Sequence, residues 1–248
     1  MNNLLNLTSR LAAPAMRTLC ALGLLAASTA QAAASLSSFD TGNEGWLVAN
    51  IIDAPGAGGG ADWDSVNQRL TTRDLYTWTT FSAPAALLGN QLAYFGGTLS
   101  FDLMDDQKDA NADSVATFGI AAGATSMFWF GGSPSTTAMT TFVAGLSETD
   151  TRWRLGGSPL DVTSGTAPTQ AQFQAVLSAL TLLRINADWR TAYNDTAVLD
   201  NVLLLSPVPE PTPALLLAAG LAALAWRRRV SPTRAPVPRP GLAPRAGP

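Results

Sequence analysis

Histidine is absent from all 248 residues, and the single cysteine, Cys20, lies near the N-terminus. A Ser-His-Asp triad, a Cys-His pair and the common zinc and iron sites all need imidazole or thiolate groups. These chemistries are therefore excluded for a mature chain that begins after Cys20. Two carboxylates suffice for glycoside hydrolysis, but the sequence contains many Asp and Glu residues and gives no geometry for choosing a pair. We predict no catalytic residues.

Basic residues are scarce between positions 33 and 206, where 17 Asp and Glu residues occur with only seven Lys and Arg residues. The formal charge of this region is −10, which the basic termini mask in the whole-chain value of −3. A surface this acidic repels phosphate backbones, so nucleic-acid binding is disfavoured. Calcium ions and cationic partners are favoured instead.

Residues 1–32 have the pattern of a secretory signal peptide. Arg10 and Arg17 supply the positively charged region, residues 19–30 supply the apolar region, and Ala30-Gln31-Ala32 forms a small-residue cleavage site. We predict cleavage after Ala32. Because Cys20 lies in the removed segment, the mature chain would have no disulfide even in an oxidising compartment.

Residues 207–229 contain an apolar run that is short for a membrane span. The run covers residues 212–226, which is 15 residues, whereas a helix crossing a hydrocarbon core of roughly 30 Å needs about 20. The cluster Arg227, Arg228 and Arg229 follows the run and favours the cytoplasmic side of a bilayer. Everything before Pro207 is therefore predicted to be delivered outside.

Pro209, Glu210 and Pro211 precede this apolar run. The order of Pro-Glu-Pro, a short Ala/Leu/Gly-rich transmembrane helix and an arginine cluster resembles the PEP-CTERM sorting signal of exopolysaccharide-producing Gram-negative bacteria. The resemblance implies that an exosortase recognises the three residues and processes the signal during export. It also implies an intermediate tethered to the inner membrane, followed by release to the cell surface or extracellular matrix. Residues 230–248 continue as a Pro-rich basic tail, which is predicted to be extended and disordered.

Residues 33–206 are predicted to form one all-β domain. Short apolar or alternating runs separated by Gly, Pro, Asn and Asp are typical of a β-sandwich or jelly roll. The predicted strands are residues 46–52, 76–83, 97–104, 114–122, 126–130, 140–146, 182–189 and 198–205. One helix is predicted over residues 169–182, where apolar residues recur on one helical face. They are Phe173, Val176, Leu177 and Leu180.

Four blocks of this domain resemble the laminin B (laminin domain IV type A) module, in the same order. They are SFDTGNEGW at 38–46, TFSAPAALLGNQLAYFGGTLSFDL at 80–103, the segment 173–185 that ends in LLRI, and TAVLDNVLL at 196–204. The resemblance implies a jelly-roll β-sandwich, related in architecture to galactose-binding domains and carbohydrate-binding modules. It implies no catalytic residues.

Asp200 is a predicted calcium ligand. Strict alternation in its strand places the carboxylate on one face with two valines, and burying a carboxylate is costly unless it is paired or bound to metal. Resemblance to galactose-binding-like sandwiches, in which the first and last strands often hold a structural calcium, makes Asp40 and Glu44 the other side-chain ligands. In the alternative interpretation, Asp200 caps a turn or pairs with Arg184 or Arg190.

A second acidic stretch, residues 105–113, lies between two predicted strands. Asp109, Asn111 and Asp113 have the spacing of the first ligands of a calcium loop. Ser114 and Ile120 stand where such a loop needs a turn glycine and a bidentate glutamate. This stretch is therefore interpreted as a solvated loop.

The chain has seven tryptophans, and exposed aromatic faces bind sugar rings. Trp63 lies in a polar loop, and Trp78 and Trp129 lie in runs bounded by Thr or Gly. Trp63 and Trp129 are the predicted ligand-binding residues, with core packing as the alternative for each.

The sequence predicts a protein that is not an enzyme, with the first of three functions, and the other two are the alternatives. The first is a non-catalytic adhesion or structural module of the cell surface or matrix, and the second is a carbohydrate-binding module that recognises exopolysaccharide. The third is a carboxylate-dependent glycoside hydrolase, which would need two carboxylates about 5 to 9 Å apart in a cleft.

Overall fold

The computed structural model describes residues 34–51, 53–191 and 194–207, together with Leu217, Gly220, Leu221 and Leu224. The chain divides into two units, Met1–Val208 and Pro209–Pro248. In the second unit the four described residues are helical, and their three leucines are exposed. Across the described residues, no helix has both the length and the apolarity to cross a membrane. The predicted signal peptide, Pro-Glu-Pro motif, arginine cluster and tail lie outside the described residues.

The described residues of the first unit form two antiparallel sheets, one α-helix, α1, and the short 3-10 helices Ala85–Leu87, Leu92–Tyr94 and Ala112–Ser114. The strands are β1 (Ala34–Ser37), β2 (Leu47–Asn50), β3 (Gly59–Gly60), β4 (Asp62–Asp64), β5 (Arg69–Arg73), β6 (Thr79–Ser82), β7 (Thr98–Asp105), β8 (Phe118–Ala122), β9 (Thr125–Trp129), β10 (Thr140–Gly145), β11 (Trp153–Leu155), β12 (Leu182–Asn186) and β13 (Thr196–Leu205), and α1 is Gln170–Ser178. One sheet has the order β10-β7-β13-β5-β4, with β1 pairing with the second half of β13. The other has the order β11-β9-β8-β12-β6-β2-β3. The predicted all-β sandwich with one short helix is confirmed.

Each of the eight predicted strands overlaps an observed strand, and β7 shows why the alternating sequence pattern predicted them. Its eight residues alternate between buried and half-buried positions along their whole length, as expected of a strand with one face on a core. The strands absent from the prediction are β1, β3, β4, β5 and β11. Most of these have two to four residues, too few for alternation to be recognised.

Helix α1 begins with a capping box. Thr169 Oγ1 accepts a hydrogen bond from the Gln172 main-chain N–H, and Gln172 Oε1 accepts one from the Thr169 N–H. The helix ends at Ser178, earlier than predicted, because Leu180 exchanges two main-chain hydrogen bonds with Gly89 instead. The four predicted core residues of this segment are buried as expected: Phe173, Val176, Leu177 and Leu180.

Aromatic side chains connect the two sheets and the helix through edge-to-face contacts. Phe101 of β7 meets Phe118 of β8 at 5.7 Å between ring centroids, and Phe118 meets Trp153 of β11 at 5.1 Å. Trp153 then meets Phe173 of α1, also at 5.1 Å. Each such pair contributes about 0.5–1.5 kcal/mol beyond the area that it buries. The core is therefore continuous from one sheet through the other to the helix.

A β-bulge in β13 corrects the predicted face of Asp200. Pairing with β7 shifts register after Asp200, and Asn201 adopts a positive φ of 51°. Ala197 and Leu199 belong to the core before the bulge, and Val202 and Leu204 belong to it afterwards. Because a bulge inserts one residue, the core-facing positions change from odd to even numbers. Asp200 therefore lies at the bulge and not in a row with the core-facing residues that follow it.

Candidate functional site: the loop-end cleft

Loops at one end of the sandwich enclose a cleft of about 490 Å³, the loop-end cleft. Its walls come from segments that follow β2, β7, β11 and β12 and from the segment before β6. Antiparallel pairing places these ends together, since Asn50 at the end of β2 pairs with Thr79 at the start of β6. The cleft volume lies within the usual range for small-ligand sites, about 300–1,000 Å³.

Two tryptophans form part of the cleft wall. Trp78 is half-buried, and its indole N–H donates to Asn186 Oδ1 at 2.7 Å, which fixes the ring. Trp189 is 2% exposed, and its indole nitrogen has no hydrogen-bond partner among the described residues. A buried indole N–H normally finds an acceptor. The cleft wall therefore combines a fixed aromatic ring with an unused donor.

Arg184 holds another part of the cleft wall in place. Its side chain is buried, and Nη1 donates to the carbonyl oxygens of Asn50 and Ile51 while Nη2 donates to that of Asp53. Burial lowers the pKa of the guanidinium, and the Asp53 charge opposes that change. Asn50 and Ile51 line the cleft. Arg184 thus fixes a loop by main-chain contacts, and the predicted alternative in which it pairs with Asp200 is wrong.

Two carboxyl groups in the cleft have pKa values shifted in opposite directions. Burial raises the pKa of Asp188 to about 7, and the negative charges of Asp74 and Asp195 add to the effect. Hydrogen bonds from Thr191 lower the pKa of Asp109, since the Thr191 hydroxyl and N–H both donate to Asp109 Oδ2 at 2.5 and 2.9 Å. Asp109 therefore joins the loop after β7 to the loop after β12.

The three predicted calcium ligands are not gathered into one cluster. Asp40 is exposed and accepts a hydrogen bond from Ser38, whereas Glu44 accepts one from the Phe39 main-chain N–H at 2.8 Å. Burial raises the pKa of Asp200, with a smaller contribution from the Asp40 charge. Within the part of the chain that is described, no three acidic, His or Cys side chains converge as they would around a metal ion. Calcium at Asp40, Glu44 and Asp200 stays a prediction.

Asp200 and the acidic stretch 105–113 make other contacts. Asp200 Oδ1 accepts from the main-chain N–H of Asn201, so the carboxylate caps its own bulge. Arg190 donates to Asn194, which leaves the predicted Asp200–Arg190 pair unformed. Asp113 accepts from Ser133 while Asp109 accepts from Thr191. Asp109 and Asp113 therefore hold different loops and share no common centre.

The structure corrects the prediction for Trp129. Its side chain is 1% exposed, its indole N–H donates to Asp150 at 3.0 Å, and the Arg152 guanidinium covers the ring at 4.3 Å. Neither face of the ring is available to a ligand. Trp63 is 39% exposed and donates to the carbonyl oxygen of Phe39, so its predicted role as a binding residue remains untested.

Sequence reasoning overlooked most of the cleft residues. Asp188, Trp189 and Arg190 come directly after β12 and Asp109 lies beyond the end of β7. Polar and aromatic residues that follow predicted strands were the available signal, because antiparallel strands bring such positions to the same end of a sheet. Choosing among them required the cleft itself.

In the described residues between 34 and 207, two antiparallel sheets, the helix α1 and a cleft among the loops at one end define a jelly-roll β-sandwich module. The family model described as Laminin B (Domain IV) matches residues 80–219, more than half of the chain. The chain therefore belongs to the laminin B (domain IV) family, whose members are structural domains without enzymatic activity.

Nine chains of solved structures are similar to this one. The L4b domain of human laminin alpha-2 has a TM-score of 0.53 at 11% identity, covering 70% of this chain and 97% of that domain. An exo-beta-agarase has a TM-score of 0.39 at 13% identity, and the match covers 72% of this chain and 25% of the agarase. The C-terminal family 22 carbohydrate-binding module of Clostridium thermocellum Xyn10B has a TM-score of 0.26 at 10% identity, with 71% and 94% coverage. The first likeness shows the fold, and the other two are too low to carry an argument. No curated protein matches the chain.

Proposed function

We propose that this protein is an exported, non-catalytic adhesion or structural module of the cell surface or extracellular matrix. The observation that carries the proposal is a laminin B sandwich with a built cleft at its loop end. Trp78 is fixed there by Asn186, and the adjacent loop after β2 is fixed by Arg184. A wall held by such part-buried hydrogen bonds is preorganised, which lowers the entropic cost of binding a partner.

A carbohydrate chain is the partner that the cleft chemistry favours. Trp78, which is half-buried, offers an aromatic surface for a sugar ring. Asn111, Asp188 and Arg190 add amide, carboxyl and guanidinium groups that hydrogen-bond hydroxyls. The domain carries a formal charge of −10, so a neutral or amino-sugar polymer fits better than an anionic one.

Binding to the exopolysaccharide of the native host tests this proposal. The full-length chain is titrated with purified, size-fractionated polymer by calorimetry, alongside the variants Trp78→Ala and Trp63→Ala. Both tryptophans are partly exposed and each makes one indole hydrogen bond, so the two substitutions are matched. We expect Trp78→Ala to weaken binding about tenfold or more. Stacking of a nucleic-acid base on an aromatic side chain contributes about 1–3 kcal/mol, and we expect a similar contribution for a sugar ring. Trp63→Ala should leave the affinity unchanged.

The same titration separates the other functions. If only Trp63→Ala weakened polymer binding, the binding site would be the predicted Trp63 surface and not the loop-end cleft. Release of reducing ends from the polymer, abolished by Asp188→Asn, would establish a glycoside hydrolase instead. A chain that binds no host polymer and no host cell surface would refute the adhesion proposal.

Delivery by an exosortase is the second part of the proposal, and the sequence order of Pro209-Glu210-Pro211, apolar run and arginine cluster supports it. Mass spectrometry of the protein from exosortase-positive and exosortase-deficient cells locates its C-terminus. We expect an end near residues 209–212 only in the exosortase-positive cells. An intact C-terminus at Pro248 in both strains would contradict exosortase processing.

A further inference from the structure

Two buried carboxylates face each other behind the loop-end cleft. Asp105 is the last residue of β7 and is 0% exposed, and Asp195 directly precedes β13 and is 1% exposed. Both Asp195 carboxylate oxygens and Asp105 Oδ2 lack a hydrogen-bond partner among the described residues. Asp105 pairs with Ala197 across β7 and β13, so Asp195, two residues before Ala197, lies beside it. Consistent with this position, each residue shifts the other's pKa. Three unpaired oxygens in one buried place are costly unless a proton or a cation lies between them.

Further acidic residues surround this pair. Asp74 follows β5, and its main-chain N–H donates to the carbonyl oxygen of Asp195 at 3.2 Å. Asp188, in the loop after β12, lies close enough for the charges of Asp74 and Asp195 to raise its pKa. The ends of strands from both sheets therefore bring four acidic residues, Asp74, Asp105, Asp188 and Asp195, into one acidic cluster, although no three of their side chains are close enough together to hold one metal ion.

The basic residues nearest to Asp105 and Asp195 in sequence are engaged elsewhere. Lys108 donates to Ser133 and Pro134, and Arg190 donates to Asn194. The two salt bridges in the described residues, Arg69–Asp64 and Arg152–Asp150, involve none of the cluster. The main-chain N–H groups of Asp195 and Trp189 approach the Asp195 carboxylate and favour its ionised form, but neither completes a hydrogen bond. The negative charge is thus left without a protein partner in the part of the chain that is described.

We propose that Asp105 and Asp195 bind a calcium ion that joins the ends of β7 and β13 to the loop after β12. Carboxylate oxygens are the hard ligands that calcium prefers, and backbone carbonyls and water complete its six to eight positions. Since no three carboxylates converge in the described residues, two side chains would supply the charged ligands. One shared proton would satisfy at most one or two of the three unpaired oxygens, whereas a cation can contact all of them.

This site is separate from the predicted Asp40–Asp200 site and independent of what the loop-end cleft binds. Asp188 and Trp189 connect it to the cleft, since both line the cleft and both approach Asp195. Bound calcium would consequently hold the loop after β12 in its cleft-forming position. Calcium-dependent stability is therefore expected even if the cleft binds no sugar.

Thermal unfolding of the full-length chain tests the site, with protein prepared in EDTA and compared with protein in 1 mM calcium chloride. At about 100 times the dissociation constant we expect calcium to raise the Tm by about 5–10 °C. Asp195→Asn should remove this shift and should melt no lower than the wild type in EDTA, because the substitution removes like-charge repulsion without changing shape. Asp200→Asn is the matched control and should retain the full shift.

Calorimetric titration with calcium chloride gives the second readout, and we expect one site in the wild type and none in Asp195→Asn or Asp105→Asn. An equal calcium shift in Asp195→Asn and the wild type would overturn the proposal. So would loss of the shift in Asp200→Asn alone, which would assign the ion to the first and last strands. If calcium had no effect and the wild type in EDTA became more stable on acidification to pH 5, the pair would share a proton and no metal site would exist.

Discussion

Asp150 joins the edges of the two sheets, and its removal provides a direct test of the structure. Its Oδ2 accepts from the Trp129 indole N–H of β9 and from the Gly145 main-chain N–H of β10, each at 3.0 Å. Arg152 donates to both carboxylate oxygens at 2.8 Å and stacks on Trp129. One carboxylate therefore satisfies donors from both sheets and anchors the arginine that covers a core tryptophan.

The change Asp150→Ala leaves the buried Trp129 donor unpaired, at about 1–3 kcal/mol, and removes the Gly145 hydrogen bond and the arginine contact. We expect a total loss of about 3–5 kcal/mol in the free energy of unfolding. For a domain of this size about 1 kcal/mol corresponds to 2–4 °C in Tm, so the Tm should fall by about 6–20 °C. Asp150→Asn keeps one acceptor oxygen and should lose about 1–3 kcal/mol.

Urea unfolding followed by tryptophan fluorescence measures both losses, and the exposed strand residue Asp62 provides the control as Asp62→Ala. A loss below about 1 kcal/mol in Asp150→Ala, or a loss equal to that of Asp62→Ala, would refute the assignment of Asp150 as the link between the sheets. Unchanged Trp129 emission in Asp150→Ala would also contradict it, because an unpaired indole should change its environment.

Acidification gives an independent check on the same residue. Burial raises the pKa of Asp150, but hydrogen bonds from Arg152, Trp129 and Gly145 outweigh it and lower the pKa to about 2. A group whose pKa is lower in the folded state stabilises the fold above its unfolded pKa and loses that effect as pH falls through its folded pKa. The stability difference between wild type and Asp150→Asn should therefore shrink between about pH 4 and pH 2. The part of this stability difference that depends on the Asp150 charge is about 1–2 kcal/mol, after allowance for solvent screening at Arg152, which is 46% exposed.

Two further predictions concern the backbone contacts that shape the domain. Arg184→Met should release Asn50, Ile51 and Asp53 and cost about 2–4 kcal/mol in the free energy of unfolding, because the carbonyl oxygens of Ile51 and Asp53 lose their donor. Faster amide exchange at Asp53 than in the wild type would show this release, and unchanged exchange would contradict it. Gly97→Ala would place a Cβ 1.9 Å from the Leu205 carbonyl oxygen and should cost about 1–3 kcal/mol or more in the free energy of unfolding. In the control Gly59→Ala the new Cβ meets nothing within 4 Å, so thermal melts should show almost no change.

The candidate site was only partly predictable from sequence. Trp78 was recognisable as a surface candidate because it interrupts a run of threonines, but Trp129 had an equivalent pattern and is buried. The difference lies in Asp150 and Arg152, which come from a loop more than 20 residues later and enclose the Trp129 ring. No local pattern reports that a distant loop will cover a side chain. Solvent exposure of a single tryptophan is therefore a tertiary property.

The sequence by itself determined the class of fold. Alternation along β7, the Thr169–Gln172 capping box and the apolar face of α1 are local signals, since each depends on residues within a few positions of one another. They are sufficient to place the strands and the helix, and with them the laminin B sandwich. The Asp200 prediction shows the limit of such local signals. It assumed strict alternation, but the bulge at Asn201 places every later side chain of β13 on the face opposite to the one that strict alternation predicts.

Tertiary structure alone decided which residues meet. Asp105 and Asp195 are 90 positions apart, yet they become neighbours because β7 pairs with β13 along almost its whole length. The same pairing of strand ends gathers Trp78, Asp109 and Asp188 around one cleft. The physical reason is that main-chain hydrogen bonds between distant strands bring these residues together. The residues lie in short polar segments whose sequences have no periodicity from which the contacts could be predicted.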